Sequence, residues 1–173
     1  AFVRDNGWVT DFALFTAVKR HFGDQMWTKW PDEGIRMRRK DAVAAWSDKL
    51  QGEVGYHIFV QYLFRRQWMA LKRYANDRGI RLFGDMPIYV AEDSADTWTH
   101  PEVFQLDSNR VPKQVAGVPP DYFSADGQLW GNPLYRWTYL RLRGYDWWVA
   151  RMRGMAGIYD LIRIDHLIGF ANS

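Results

Sequence analysis

The sequence predicts an α/β protein with parallel strands, and three observations carry that prediction. An amphipathic stretch, 54–78, is followed by Gly79 and the short apolar run from Ile80 to Asp85, IRLFGD. A second helical stretch, 145–156, is followed by IYDLIRID, Ile158 to Asp165. A helix, a glycine and then a brief apolar strand is the pattern of a unit whose strands run parallel. Between the two strands lie residues 86–157, far more than the dozen or so that a parallel crossover requires. Residues 91–131, rich in Pro, Gly, Asp and aromatics, are therefore expected to be an insertion. It leaves the C-terminal end of the first strand, the end at which parallel α/β proteins carry their active sites.

Each element has its own signal. In 10–22, Phe12, Phe15, Val18 and Phe22 recur at helical spacing behind a candidate cap, Thr10 or Asp11, and Gly23 closes the helix. A short helix is expected from Asp41 through AVAAWSDKL. In 54–78, Val60, Phe64, Trp68, Leu71 and Ala75 form one stripe, while Arg65, Arg66, Lys72, Arg73 and Asp77 lie largely elsewhere. Asn132 reads as an N-cap with Pro133 at the first helical position, opening a helix that runs to about Arg143.

Composition narrows the function. The apolar share of 47% supports one sizeable core, and 17% of the residues are aromatic, ten of them Trp. Rings in such number serve either a large core or a pocket for a ligand with flat apolar faces, such as a sugar. The formal net charge is +3, and the one tight basic group, Arg36 to Lys40, is flanked by Asp32, Glu33 and Asp41. A charge-mixed solvated loop is the better reading, so no nucleic-acid partner is expected. There is no cysteine, and the four histidines show no paired ligand spacing, so no metal is expected. No apolar run reaches transmembrane length, so no membrane partner is expected either, and a cytoplasmic location is the default. Ala1 without a preceding Met points to a fragment.

Strand side chains alternate, so Arg163 and Asp165 face one side and Ile162 and Ile164 the other. Asp85 ends its own strand in the same way, and two carboxylates at parallel strand ends would converge on one cavity. Burial would raise the pKa of Asp165, but an adjacent guanidinium favours its charged form. A partly shielded, ionised Asp is what a carboxylate nucleophile needs; an ion pair that merely fixes strand packing fits the same spacing. The loop from Gly117 to Tyr135, GVPPDYFSADGQLWGNPLY, adds Tyr122, Phe123, Trp130 and Tyr135 as rings and Asp121, Gln128 and Asn132 as hydrogen-bonding groups. Over a carboxylate-lined pocket it would suit a glucan; a self-packed surface loop is the plainer reading.

DMPIYV at 85–90 with AEDSADTW after it, GVPPDYFSADGQLWGNPLY, and RIDH at 163–166 together resemble the 4-α-glucanotransferases, the amylomaltases or disproportionating enzymes. The resemblance extends over the whole chain, including GWVTDFALFTAVK and GYDWW at 144–148. It implies a retaining (β/α)8-barrel enzyme of the α-amylase clan. This chain, 1–173, would supply a partial barrel, about strands 3–4 with their helices, and 91–131 would lie over the active site. It further implies Asp165 as the catalytic nucleophile, Arg163 as the residue that holds and polarises it, and His166 as a sugar-hydroxyl contact. Asp85 would support the same site, Asp121 and Tyr122 would sit over the acceptor side, and Trp130 would line the glucan path. The implied reaction moves segments of an α-1,4-glucan, or malto-oligosaccharide, by double displacement without a cofactor, with water excluded to favour transfer. Two points depart from the family pattern. Leu167-Ile168 stands where relatives carry Phe-Arg, and the acid/base Glu, about 5–5.5 Å from the nucleophile, comes from beyond Ser173. The chain alone is therefore expected to be inactive. An α-amylase-type hydrolase and a non-catalytic glucan-binding module are the rival readings.

Overall fold

The computed structural model describes residues 1–120, 122, 124–166 and 170. Helices α1 (Phe2–Asp5), α2 (Trp8–His21), α3 (Glu33–Arg36), α4 (Lys40–Lys49) and α5 (Gln51–Asn76) precede strand β1 (Phe83–Met86). Helix α6 (Ala95–Thr99), strands β2 (Val115–Val118) and β3 (Gln128–Pro133), helices α7 (Trp137–Leu142) and α8 (Asp146–Ile158), and strand β4 (Leu161–Ile164) follow. The chain forms two units, one of residues 1–67 and 93–100, the other of residues 68–92 and 101–173.

The first unit is helical and holds its tryptophans inside. Leu14, Phe15 and Val18 on one face of α2 pack with Trp27, Trp30, Ile35, Trp46 and Trp98. Each of three indoles has a partner for its N–H: Trp30 donates to the Gln25 carbonyl (3.2 Å), Trp46 to Asp32 (2.8 Å) and Trp98 to the Ile35 carbonyl (2.9 Å). Asp32 also accepts from the Ile35 N–H at 3.2 Å and so caps α3. The segment 93–100 joins this unit through Trp98 and through Asp93, which pairs with Lys19 and accepts from the Trp27 N–H.

Two expectations for this region are corrected. Helix α2 starts at Trp8 behind Gly7, and neither Thr10 nor Asp11 caps it, because the fully buried Val9 draws the helix start into the core. The basic group 36–40 is tied down and not merely solvated: Arg36 donates to the Trp30 carbonyl, Arg38 pairs with Asp11 and Arg39 with Glu33.

In the second unit β1 and β4 are hydrogen-bonded neighbours and run parallel, with Phe83 opposite Leu161 and Asp85 opposite Arg163. A helix precedes each strand, as the sequence predicts. Ile162 and Ile164 pack on a core of Met86, Ile88, Val90, Val103, Phe104, Leu106, Tyr135, Leu140 and Trp148. The end of α5 is fastened to the approach to β4. Trp68 donates to the Ile158 carbonyl (2.8 Å), Lys72 to that of Tyr159 (2.9 Å), and Asn76 to the Asp160 carboxylate (2.9 Å). Asp160 also accepts from the Leu82 N–H at 2.8 Å, and its pKa is held below the usual carboxylate range by that bond first and by Asn76 and Lys72 beside it. Gly84 is required here: a Cβ on it would lie 2.3 Å from Cδ2 of Tyr159.

The stretch 91–131 is more ordered than an aromatic loop. It contains α6, and β2 pairs antiparallel with β3, with an irregularity between Val115 and Gly117. Asn132 and Pro133 are the end of β3 and cap no helix; α7 starts at Trp137 behind Arg136. A Pro at the last ladder position ends a strand as readily as it opens a helix. The stripe on α5 is also less buried than its spacing suggests. Ala75 is the one buried residue of the helix, and Val60, Phe64 and Leu71 are exposed.

Candidate active site

At the C-terminal ends of β1 and β4 a cleft of about 400 Å³ opens, lined by Asp85, Met86, Pro87, Ile88, Tyr89, Trp130, Asn132, Asp165 and His166. The alternation of the strand builds its acidic edge. Arg163 stands opposite Asp85 in the parallel register, and Asp165, two residues on, projects to the same side. The Arg163 guanidinium bridges both carboxylates, with Nη1 3.0 Å from Asp85 Oδ2 and Nη2 on Asp165 Oδ2. The second Asp165 oxygen accepts from the backbone N–H of His166 at 2.9 Å. That N–H above all holds the Asp165 carboxyl below the usual carboxylate range; burial opposes it, and the Arg163 charge adds to the lowering.

His166 has φ +53°, a left-handed conformation that costs a non-glycine residue about 1 kcal/mol or more. It turns the chain sharply where β4 ends, which aims the N–H at Asp165 and sets the imidazole 4.7 Å from the Trp130 ring. Trp130 in turn lies 6.3 Å from Tyr89, whose hydroxyl pKa is raised by burial. One wall of the cleft is thus aromatic and the other charged.

The structure brings Asp85, Trp130, Arg163, Asp165 and His166 together. Tyr122 is 97% exposed and does not line the cleft. Asp121, Phe123, Leu167 and Ile168 lie outside the described residues. The side chains of Asp165 and Arg163 are each 50% exposed. Among the described residues β4 pairs only with β1.

Sequence reasoning passed over Tyr89 and Arg151. A signal existed for the first, because the strand alternation continues past β1: Met86, Ile88 and Val90 are buried, and Asp85 and Pro87 between them are exposed. None existed for Arg151, one of several arginines on an ordinary helix. Among the described residues no group of three or more His, Cys, Asp or Glu is placed to hold a metal ion, and no helix is long and apolar enough to cross a membrane.

Fold and cleft together describe an α/β protein with an ionised, ring-lined site at the ends of parallel strands. The family model described as 4-alpha-glucanotransferase matches residues 1–173, and the chain belongs to that family. It is 47% identical over 170 residues to the 4-alpha-glucanotransferase of Streptococcus pneumoniae serotype 4, an overlap that covers 98% of this chain and 34% of that protein. With the Thermus thermophilus 4-alpha-glucanotransferase it shares 50% identity over 96% of this chain and 33% of the relative. The amylomaltase from Streptococcus agalactiae, solved in complex with acarbose, superposes with a TM-score of 0.94 at 49% identity, covering 98% of this chain and 34% of that one. The chain thus spans about a third of the length of the curated relatives it matches.

Proposed function

We propose that this chain supplies the nucleophile and half the glucan cleft of a 4-α-glucanotransferase. The observation that carries this reading is the Asp165 carboxylate, fixed on both oxygens by Arg163 and the His166 N–H and held ionised. An ionised carboxylate with one fixed orientation can attack the anomeric carbon of an α-1,4-glucan. The C1–O bond to the leaving glucan then breaks, that oxygen takes a proton from the acid/base carboxyl, and a glycosyl-enzyme ester remains. A hydroxyl of a second glucan, deprotonated by the same group, attacks C1 and releases Asp165. Asp85, sharing the Arg163 guanidinium, would keep it from collapsing fully onto the nucleophile. Trp130 and Tyr89 would offer faces to the sugar rings and His166 a hydroxyl contact. We assign Asp121 and Tyr122 to the acceptor side on the strength of the family resemblance of the loop that carries them. β1 and β4 would be neighbouring strands, about the third and fourth, of a (β/α)8 barrel. Their parallel pairing, the helix before each, and the carboxylates at their C-terminal ends all support this.

The test is a chimera in which this chain replaces the matching third of the Streptococcus pneumoniae relative. With maltotriose the chimera should form longer oligosaccharides, and Asp165→Asn should lower that transfer on the order of 10³-fold or more with glucan binding largely kept. Release of glucose and maltose alone would point to a hydrolase. Undiminished transfer by Asp165→Asn would remove the nucleophile from its role.

A further inference from the structure

We propose that Arg151 is a positioning residue that fixes the Pro87–Tyr89 wall of the cleft, an inference that rests on the glucan-transfer reading above. After β1 the chain leaves the sheet, and the carbonyls of residues 87, 88 and 90 find side-chain partners. Nη2 of Arg151 donates to the Pro87 carbonyl at 2.6 Å, and Nη1 to the Ile88 carbonyl at 3.2 Å. The Ile88 carbonyl also accepts from the Tyr135 hydroxyl at 2.7 Å, and that hydroxyl accepts from Arg151 at 3.2 Å. The Asn132 amide donates to the Val90 carbonyl at 2.8 Å.

All the side-chain hydrogen bonds that Arg151 makes among the described residues thus go to this wall or to the phenol that braces it. Its guanidinium is seated over the Trp147 and Trp148 rings, 5.5 and 5.1 Å from their centroids. Such a seat favours a flat, weakly hydrated cation and limits its freedom. The wall it holds carries Tyr89, whose ring stacks on Tyr135 at 5.9 Å and lies beside Trp130. Arg151 sits on α8, the helix that leads into β4, the strand that carries Arg163 and ends just before Asp165. The residue therefore ties the helix before the nucleophile's strand to the Pro87–Tyr89 wall. A fork with two donors can satisfy two successive carbonyls at once; an ammonium on a flexible stem keeps the charge but not that geometry.

The experiment uses the same chimera with Arg151→Lys and Tyr135→Phe, reading kcat and KM for maltotriose, the ratio of transfer to hydrolysis, and Tm. Arg151→Lys is expected to lower kcat/KM for transfer about tenfold, because small misplacements of a substrate-contacting wall are costly. It should raise the hydrolysed share while Tm stays within a few degrees of the parent. Tyr135→Phe, which keeps the ring and removes only the shared hydroxyl, should shift the ratio in the same direction by less. Parent-like kinetics in both variants, or a loss of activity matched by a proportionate loss of Tm, would overturn the inference. If the parent chimera transfers and Asp165→Asn does not, such a result leaves the nucleophile standing. If the parent chimera fails to transfer glucan, the glucan-transfer reading itself is at fault.

Discussion

Asp165, Arg163 and Asp85 form a charged row that gives the molecule little stability. All three side chains are at least half exposed, and ion pairs in that setting contribute little to stability. The row is better understood as orientation: one guanidinium faces two carboxylates, and one of those is also turned by a backbone N–H. Asp32 is the opposite case, a carboxylate that serves the fold. It accepts from the Trp46 indole and the Ile35 N–H, and the Trp46 bond first holds its pKa below the usual carboxylate range. Asp32→Ala should destabilise the first unit by about 1–2 kcal/mol, measured by urea unfolding at neutral pH. Because the folded pKa is depressed, the ionised contribution is present above the unfolded value of about 4 and is lost as pH falls through the folded one. The stability gap between wild type and Asp32→Asn should therefore be constant above about pH 5 and shrink below about pH 4. Alternation alone showed that Arg163 and Asp165 share a side. It could not show that Asn132, flanked by Gly and Pro, ends a strand and caps no helix, because the same dipeptide serves both.

Among the elements, the two helix–strand pairs carry the site, and their joint is crowded. The Tyr159 ring lies against Gly84, and Asp160 gathers bonds from Asn76 and Leu82 at the same place. Gly84→Ala should force the strand and the ring apart, costing about 1–3 kcal/mol. The check is amide exchange: protection at β1 and β4 should fall while that of α2 is unchanged. Both pairs were legible because a 3.6-residue period followed by a short apolar run is a strong signal. The β2–β3 hairpin was not. Its strands are short, contain Gly and Pro and are interrupted by an irregularity, so no clean alternation marks them. The α5 stripe teaches a related point. Periodicity reports which face is apolar, and it does not report what covers that face.

For the whole molecule, the division into two units was not legible, because residues 93–100, distant in sequence, join the first unit through the packing of Trp98 and Ala95 and the pairing of Asp93. The tryptophan count did not separate its two explanations. Trp27, Trp30, Trp46, Trp98 and Trp148 are core, and Trp130 lines the cleft. The family was legible because its motifs, RIDH and the 117–135 loop among them, are specific in sequence. The account stands on that side chain as the group that forms a bond to sugar. The direct measurement is peptide mass spectrometry on the chimera after treatment with a fluorinated glycosyl fluoride, which forms the glycosyl-enzyme faster than it is resolved. The account predicts one glycosyl adduct, on the peptide from Leu161 to His166 and located at Asp165. An adduct on Asp85 or another carboxylate, or none from an enzyme that still transfers glucan, would contradict it.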